Sequence, residues 1–205
     1  TNKGDNMSDR NAIDDINYIK QIIEDSKNTV IENGIGYIFW GVIVSVGLLT
    51  TYFSILFRIH LPHLIIWAVL IGGGWIFTLF DIKKEKRTRK SGTLADKILG
   101  AVWISAGAAM TILGFAGTIS GSYSGVHIPS VLSVVLGIAY FVSGVLYDSK
   151  WVQYLAFGWW IGAVVMFFLG SYHNLLIMAI MMIFLQILPG VTFYNKFKKA
   201  QSVSV

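Results

Sequence analysis

Residues 127–150 read HIPSVLSVVLGIAYFVSGVLYDSK, and between His127 and Asp148 no side chain carries a charge. As an α-helix rising 1.5 Å per residue, a run of roughly 20 residues covers about 30 Å, the thickness of a bilayer's hydrocarbon core. One such run also fits the buried helix of a soluble protein. Six do not, and this chain has six: Ile35 to Phe57, Leu61 to Phe80, Ile98 to Ile119, Ile128 to Tyr147, Trp151 to Leu169 and Leu175 to Tyr194. Together they leave no polar faces from which a soluble shell is built.

Composition points the same way. Hydrophobic types make up 55% of the 205 residues and charged types 13%, where a soluble domain carries about 25% charged residues. Mean hydropathy is +0.64. The sequence predicts an all-α, polytopic membrane helical bundle of six transmembrane helices. With no cysteine, disulfides, thiolate metal sites and cysteine nucleophiles are excluded.

The basic residues report orientation. Lys83, Lys84, Lys86, Arg87, Arg89 and Lys90 lie between spans two and three, Lys150 between four and five, and Lys196, Lys198 and Lys199 after span six. The other side has only Arg58. The positive-inside bias then predicts a multi-pass protein of the plasma (inner) membrane with both termini cytoplasmic. The net charge of +5 needs no nucleic acid to explain it. The six basic residues from Lys83 to Lys90 would attract anionic lipid headgroups at about 1 kcal/mol each.

Three parts are expected: a cytoplasmic N-terminal segment (1–33), a transmembrane domain (34–196) and a cytoplasmic tail (197–205). Met7-Ser8 has the form of a natural start, and no secretory signal is expected before the first span. From about Ser8 to Glu32, Ile13, Ile16, Ile19, Ile23, Val30 and Ile31 recur at roughly helical spacing among charged residues. That pattern predicts an amphipathic cytoplasmic helix, capped by Ser8 or Asn11. Its stripe would lie on the membrane, dock on the basic loop through Asp14, Asp15, Glu24 and Asp25, bind a protein partner or self-associate. Plain extension of the first span is the alternative.

The spans echo one another. His60-Leu61-Pro62 opens the second and Asp81 closes it, just as His127-Ile128-Pro129 and Asp148 bracket the fourth; His173 and Asn195 form a degenerate third copy. Trp40, Trp103 and Trp159 sit at similar depths in the odd spans. Three two-helix hairpin repeats about an axis along the membrane normal are expected.

Ile19-Lys20-Gln21-Ile22-Ile23, Glu32-Asn33-Gly34 and Tyr37-Ile38-Phe39-Trp40-Gly41, with Ser143-Gly144 and Leu188-Pro189-Gly190, resemble small six-span integral membrane proteins common in Bacteroidota. The resemblance implies an architecture and, since that family has no established activity, transfers no functional residue. The hairpin layout is also similar, in organisation alone, to bacterial acid-resistance membrane proteins.

No Asp, Glu, Lys or Arg lies deep within any span. Ion-coupled carriers keep such groups because their burial is costly and serves the mechanism, so a proton- or sodium-driven carrier is disfavoured. A path lined by hydroxyls and backbone stays open, as does a helix broken at Pro189-Gly190. His60, His127 and His173 hold matching positions on the external side; if the hairpins ring a threefold axis, three imidazoles make a metal site. The simpler reading places them at headgroup level. Gly72, Gly73, Gly74, Gly158 and Gly162 predict close helix packing or a pocket. Trp40, Trp103 and Trp159, like Trp75, lie inside the bundle, fill space opposite glycines, and each need a partner for the indole N–H. Motifs for hydrolases, metalloproteases and phosphate-binding loops are missing, and a serine near His127 is the only nucleophile–base pairing in view. The expected function is therefore non-catalytic and cofactor-free: binding or signalling through a lipid, ligand or protein. The alternative is a small transporter or channel for an uncharged solute or metal ion.

Overall fold

The computed structural model describes residues 34–88 and 94–203, and no strand occurs among them. The amphipathic stretch of residues 8–32 lies outside the described residues. The described α-helices are α1 (Ile35–Leu56), α2 (His63–Thr88), α3 (Leu94–Ile119), α4 (Ile128–Leu146), α5 (Lys150–Leu169), α6 (His173–Met181) and α7 (Leu188–Val203). A 3-10 turn, Gly125–His127, leads into α4, and a π-helical turn, Met182–Ile187, joins α6 to α7 as one continuous span. Six helical spans are thus long and apolar enough to cross a membrane.

Neighbouring spans run antiparallel. Trp40 of α1 meets Thr78 of α2 while Thr51 meets Trp67; Gly137 of α4 meets Trp160 of α5 while Gly144 meets Gln153. The histidines therefore gather at one end of the bundle and the lysines at the other. Tight caps turn the chain at both ends. After α1, Arg58 takes a left-handed conformation (φ 55°) and Ile59 N–H donates to the Ser54 carbonyl at 2.8 Å. After α4, Asp148 (φ 47°) and the Ser149 N–H to Gly144 carbonyl bond (2.9 Å) repeat that motif, which satisfies carbonyls a helix end leaves free.

Four spans make the core. α4 packs most extensively on α5, and α1 lies along α6, the π turn and α7. The closest packing thus falls between the expected hairpins rather than within them. α2 and α3 flank this core, with most of their surface facing outward.

A repeated side-chain lock ties the flanking pair on. Thr51, Thr78 and Thr111 each donate their hydroxyl hydrogen to the carbonyl four residues back, that of Gly47, Gly74 and Gly107 (2.8, 3.0 and 2.8 Å). The hydroxyl oxygen then keeps lone pairs for an outside donor. An indole N–H supplies it each time: Trp67 to Thr51 at 3.2 Å, Trp40 to Thr78 at 3.0 Å and Trp75 to Thr111 at 3.1 Å. The glycine makes room for the ring. A Cβ on Gly74 would come within 2.6 Å of Trp40, and one on Gly107 within 3.1 Å of Trp75. Two such locks join α1 to α2 and one joins α2 to α3.

Candidate functional site

The inner face of α4 carries Ser130, Ser133, Gly137, Tyr140, Ser143 and Gly144, spaced three and four residues apart and all buried. Small residues there let α5 come close: Gly144 faces the Gln153 backbone, and Gly137 lies under the Trp160 indole, which donates to the Val134 carbonyl at 3.3 Å. On the far side of the core, Gly158 and Gly162 of α5 face Leu185 and Met181.

The polar centre is Tyr140 and Gln186. The phenol, in a residue with 0% exposure, donates to Gln186 Oε1 at 2.7 Å. Gln186 sits in the π turn. Pro189, which follows it, has no N–H to bond the Leu185 carbonyl and would crowd it in a regular α-helix. A widened turn ahead of the proline accommodates the ring. Span six is consequently neither broken nor ended at Pro189-Gly190: it continues to Val203, and Gly190 packs against Tyr37 and Ile38 of α1.

Aromatic rings enclose this pair. Tyr37 lies 5.0 Å from Trp103, 5.7 Å from Tyr140 and 5.5 Å from Phe193 between ring centroids. Trp159 is 6.0 Å from Tyr140. The Trp103 indole donates to Ser143 Oγ at 3.2 Å while Ser143 donates to the Ala139 carbonyl at 2.7 Å. Trp159 Nε1 and the hydroxyls of Ser45, Ser130 and Ser133 are buried without a hydrogen-bond partner among the described residues. The core therefore offers donors and acceptors but no charge. Among the described residues, these groups are suited to bind or align a neutral partner.

The histidines are not brought together. His60 is exposed in the α1–α2 link. His127 stacks on Phe167 (6.5 Å), and His173 lies against Tyr172 (4.1 Å) with Nδ1 3.4 Å from the Tyr52 hydroxyl. No group of three His, Asp or Glu that could hold a metal exists among the described residues. His60, His127 and His173, the three imidazoles expected to converge, do not form such a group. α1 packs on α6–α7 and α4 on α5, so the hairpin starts do not converge on one axis.

Ser122 pairs with Ser120 (2.7 Å) in the serine-rich turn. A different serine–histidine contact forms at the histidine end, Ser54 Oγ to His63 Nε2 at 2.5 Å. Ser54 also donates to the Thr51 carbonyl at 2.8 Å. A hydroxyl has one hydrogen, so while Ser54 gives it to the Thr51 carbonyl the matching His63 tautomer is the one with Nε2 protonated and donating.

Of the basic cluster, Lys83 and Lys84 are exposed near the end of α2. The side chains of Lys86 and Arg87, and all of Arg89 and Lys90, lie outside the described residues. Gly72 and Gly73 face open space, while Gly74 underlies Trp40. Trp40 and Trp103 have the partners their indoles require; Trp159 does not. Gln186, Tyr140 and Asn174 escaped sequence reasoning. Asn174, with 0% exposure, donates to the carbonyls of Val126 and Met166, both at 2.8 Å. Their signal is an uncharged polar residue inside an apolar run, which a search for charge passes over. Compared with family models, curated proteins and solved structures, the chain matches none.

Proposed function

We propose that this chain is a non-catalytic binding module of the plasma (inner) membrane, which engages a lipid, an apolar ligand or a protein partner on its outer surface. The observation that carries the reading is the occupied axis. Tyr140, Trp159, Met166 and Met178, none more than 1% exposed, fill the middle of the four-span core. These side chains leave no open path along the middle of the core, and its central polar pair, Tyr140 and Gln186, is joined by a hydrogen bond. Cytoplasmic termini are supported by the lysines at one end against Arg58 at the other. A hairpin repeat is supported by Trp40 and Trp103, each of which donates to a hydroxyl of the next span. Membership in the six-span family that the sequence resembles, and an N-terminal helix that recruits a partner or a second copy, belong to the same proposal.

The test is reconstitution. Proteoliposomes loaded with small neutral solutes or divalent cations should leak no faster than protein-free vesicles, and deletion of residues 8–32 should abolish partner binding or assembly while the bundle stays folded. Saturable flux that survives the deletion would overturn the reading. One observation favours that second reading, a small transporter or channel. A π turn beside a buried Gln is a place where a helix changes its hydrogen-bond register, and such turns recur at functional sites.

A further inference from the structure

Where α1 meets α7, an open groove of about 530 Å³ runs along the outside of the bundle, lined by Ile35, Ile38, Phe39, Val42, Ile43 and Tyr194. The α1 positions recur at three and four residues and so form one face, about 12 Å long from Ile35 to Ile43. The walls are hydrocarbon apart from one phenol. That phenol belongs to Tyr194. Gly34, just before α1, has a left-handed backbone (φ 68°) and packs so closely on α7 that a Cβ there would lie 2.8 Å from the Tyr194 nitrogen. Tyr194 is therefore level with the first turn of α1, at the lysine end.

Among the described residues, the charge that α1 and α7 carry at this end of the groove has one sign. Lys198 follows Tyr194 by four residues, one helical turn further out on the same face, and Lys199 flanks it; both are exposed. Lys196 is engaged elsewhere, with its Nζ 5.6 Å from the Trp151 ring centroid. Neither α1 nor α7 contains a carboxylate. An apolar trough lined at one end by a tyrosine, with two exposed lysines about one helical turn further along α7, matches a molecule with a long hydrocarbon chain and an anionic head.

We propose that the α1–α7 groove seats one acyl chain of an anionic phospholipid, whose phosphate is held by Lys198 and Lys199 with the Tyr194 hydroxyl donating to it. The inference rests on the binding-module reading and names its ligand class and place. Lysine suits this task as a compact point charge that follows a mobile headgroup. The groove also discriminates between lipids, since a zwitterionic head brings its own cation to the two ammonium groups.

The test uses the full chain, stripped of lipid in detergent and titrated with phosphatidylglycerol or phosphatidylcholine by native mass spectrometry. Phosphatidylglycerol should bind at one tight site per chain, and phosphatidylcholine at least tenfold more weakly. The double change Lys198→Ala with Lys199→Ala should weaken phosphatidylglycerol binding roughly thirtyfold and leave phosphatidylcholine unchanged. Val42→Trp, which fills the groove from a position already 45% exposed, should remove the tight site without lowering the melting temperature. Equal affinity for the two lipids would overturn the proposal. So would a tight site lost only with Lys83→Ala and Lys84→Ala, which would leave the module reading standing with a different site. A groove already filled by residues 8–32 would show as a tight site that appears only once they are deleted, and would also overturn it. Solute flux, by contrast, would sink the module reading itself.

Discussion

The second and fourth spans are alike in length and hydropathy and opposite in place. Each covers 22 residues, with mean hydropathy 1.9 and 2.0, yet half of the fourth is buried inside the bundle and only 6% of the second. Apolar content decides that a segment enters the hydrocarbon; it does not decide whether the segment meets lipid or protein, because lipid tails are as apolar as leucine. The inner face of α4 shows what does decide. Small and hydroxylated residues at three- and four-residue spacing allow α5 and α6 close approach and keep polar groups where only protein can satisfy them. α2 has no such face. It holds to its neighbours through the Trp–Gly–Thr locks and leaves Gly72 and Gly73 against open space.

The sharpest way to break this contrast is one substitution made on both helices. Alanine at Gly144 puts a Cβ 2.6 Å from the Gln153 backbone nitrogen, an atom that cannot turn aside, in the tightest helix pair of the fold. Gly144→Ala should destabilise the bundle by about 3 kcal/mol, the upper end of overpacking costs, and overwhelm alanine's better helix propensity. Unfolding in a denaturing-detergent titration reads this directly. A loss below about 1 kcal/mol would mean that α4 and α5 do not pack as described.

The next effect in size probes the polar centre. Tyr140→Phe removes the donor and leaves Gln186 Oε1 buried without its partner, at a cost of about 1–2 kcal/mol. Gln186→Leu alone takes this acceptor from the phenol. The double change should cost less than the sum of the two, since the bond they share is lost only once. Strict additivity in that cycle would show that the pair is not coupled.

How far these features were legible in the sequence follows from the same contrast. The spans were, because twenty uncharged apolar residues have one use in a chain this poor in charge. Ile128 to Tyr147 differs from α4 by a single residue. α2 overran its expected end at Phe80 and continues to Thr88; hydropathy marks the edge of the membrane, and Asp81 to Thr88 stay helical beyond it. Pro189 did not break span six, since the π turn absorbs it. The need of each indole for a partner was legible, although the partner was not: Thr78 and Ser143 lie 38 and 40 residues away in sequence. Burial was the illegible part, because no count of apolar residues separates α2 from α4.

The locks should rank third. Trp40→Phe or Trp75→Phe keeps most of the ring and deletes one interhelical hydrogen bond, each expected at about 0.6 kcal/mol, the typical value between membrane helices. The back-bonded threonine keeps its own hydrogen bond to glycine, so nothing buried is left without a partner on that side. Thr78→Val should cost more than Trp40→Phe, because it orphans the indole N–H. The reverse order would mean that ring packing on Gly74, rather than the hydrogen bond, holds α2 to α1.

Gly73→Ala closes the series with the smallest effect and the opposite sign. A Cβ at Gly73 meets nothing within 4 Å, so the change removes only the backbone freedom of glycine and should be neutral or stabilising by up to about 1 kcal/mol. The measurement carries more than its size suggests, since Gly72 and Gly73 together leave a smooth strip on a span that buries almost nothing within one chain. If Gly73→Ala and Gly73→Leu are both silent in the detergent titration and in sedimentation, lipid covers that strip. If Gly73→Leu instead lowers stability by more than about 1 kcal/mol and shifts the sedimenting mass, another helix lies there. The second span would then differ from the fourth only in that its packing partner belongs to another molecule.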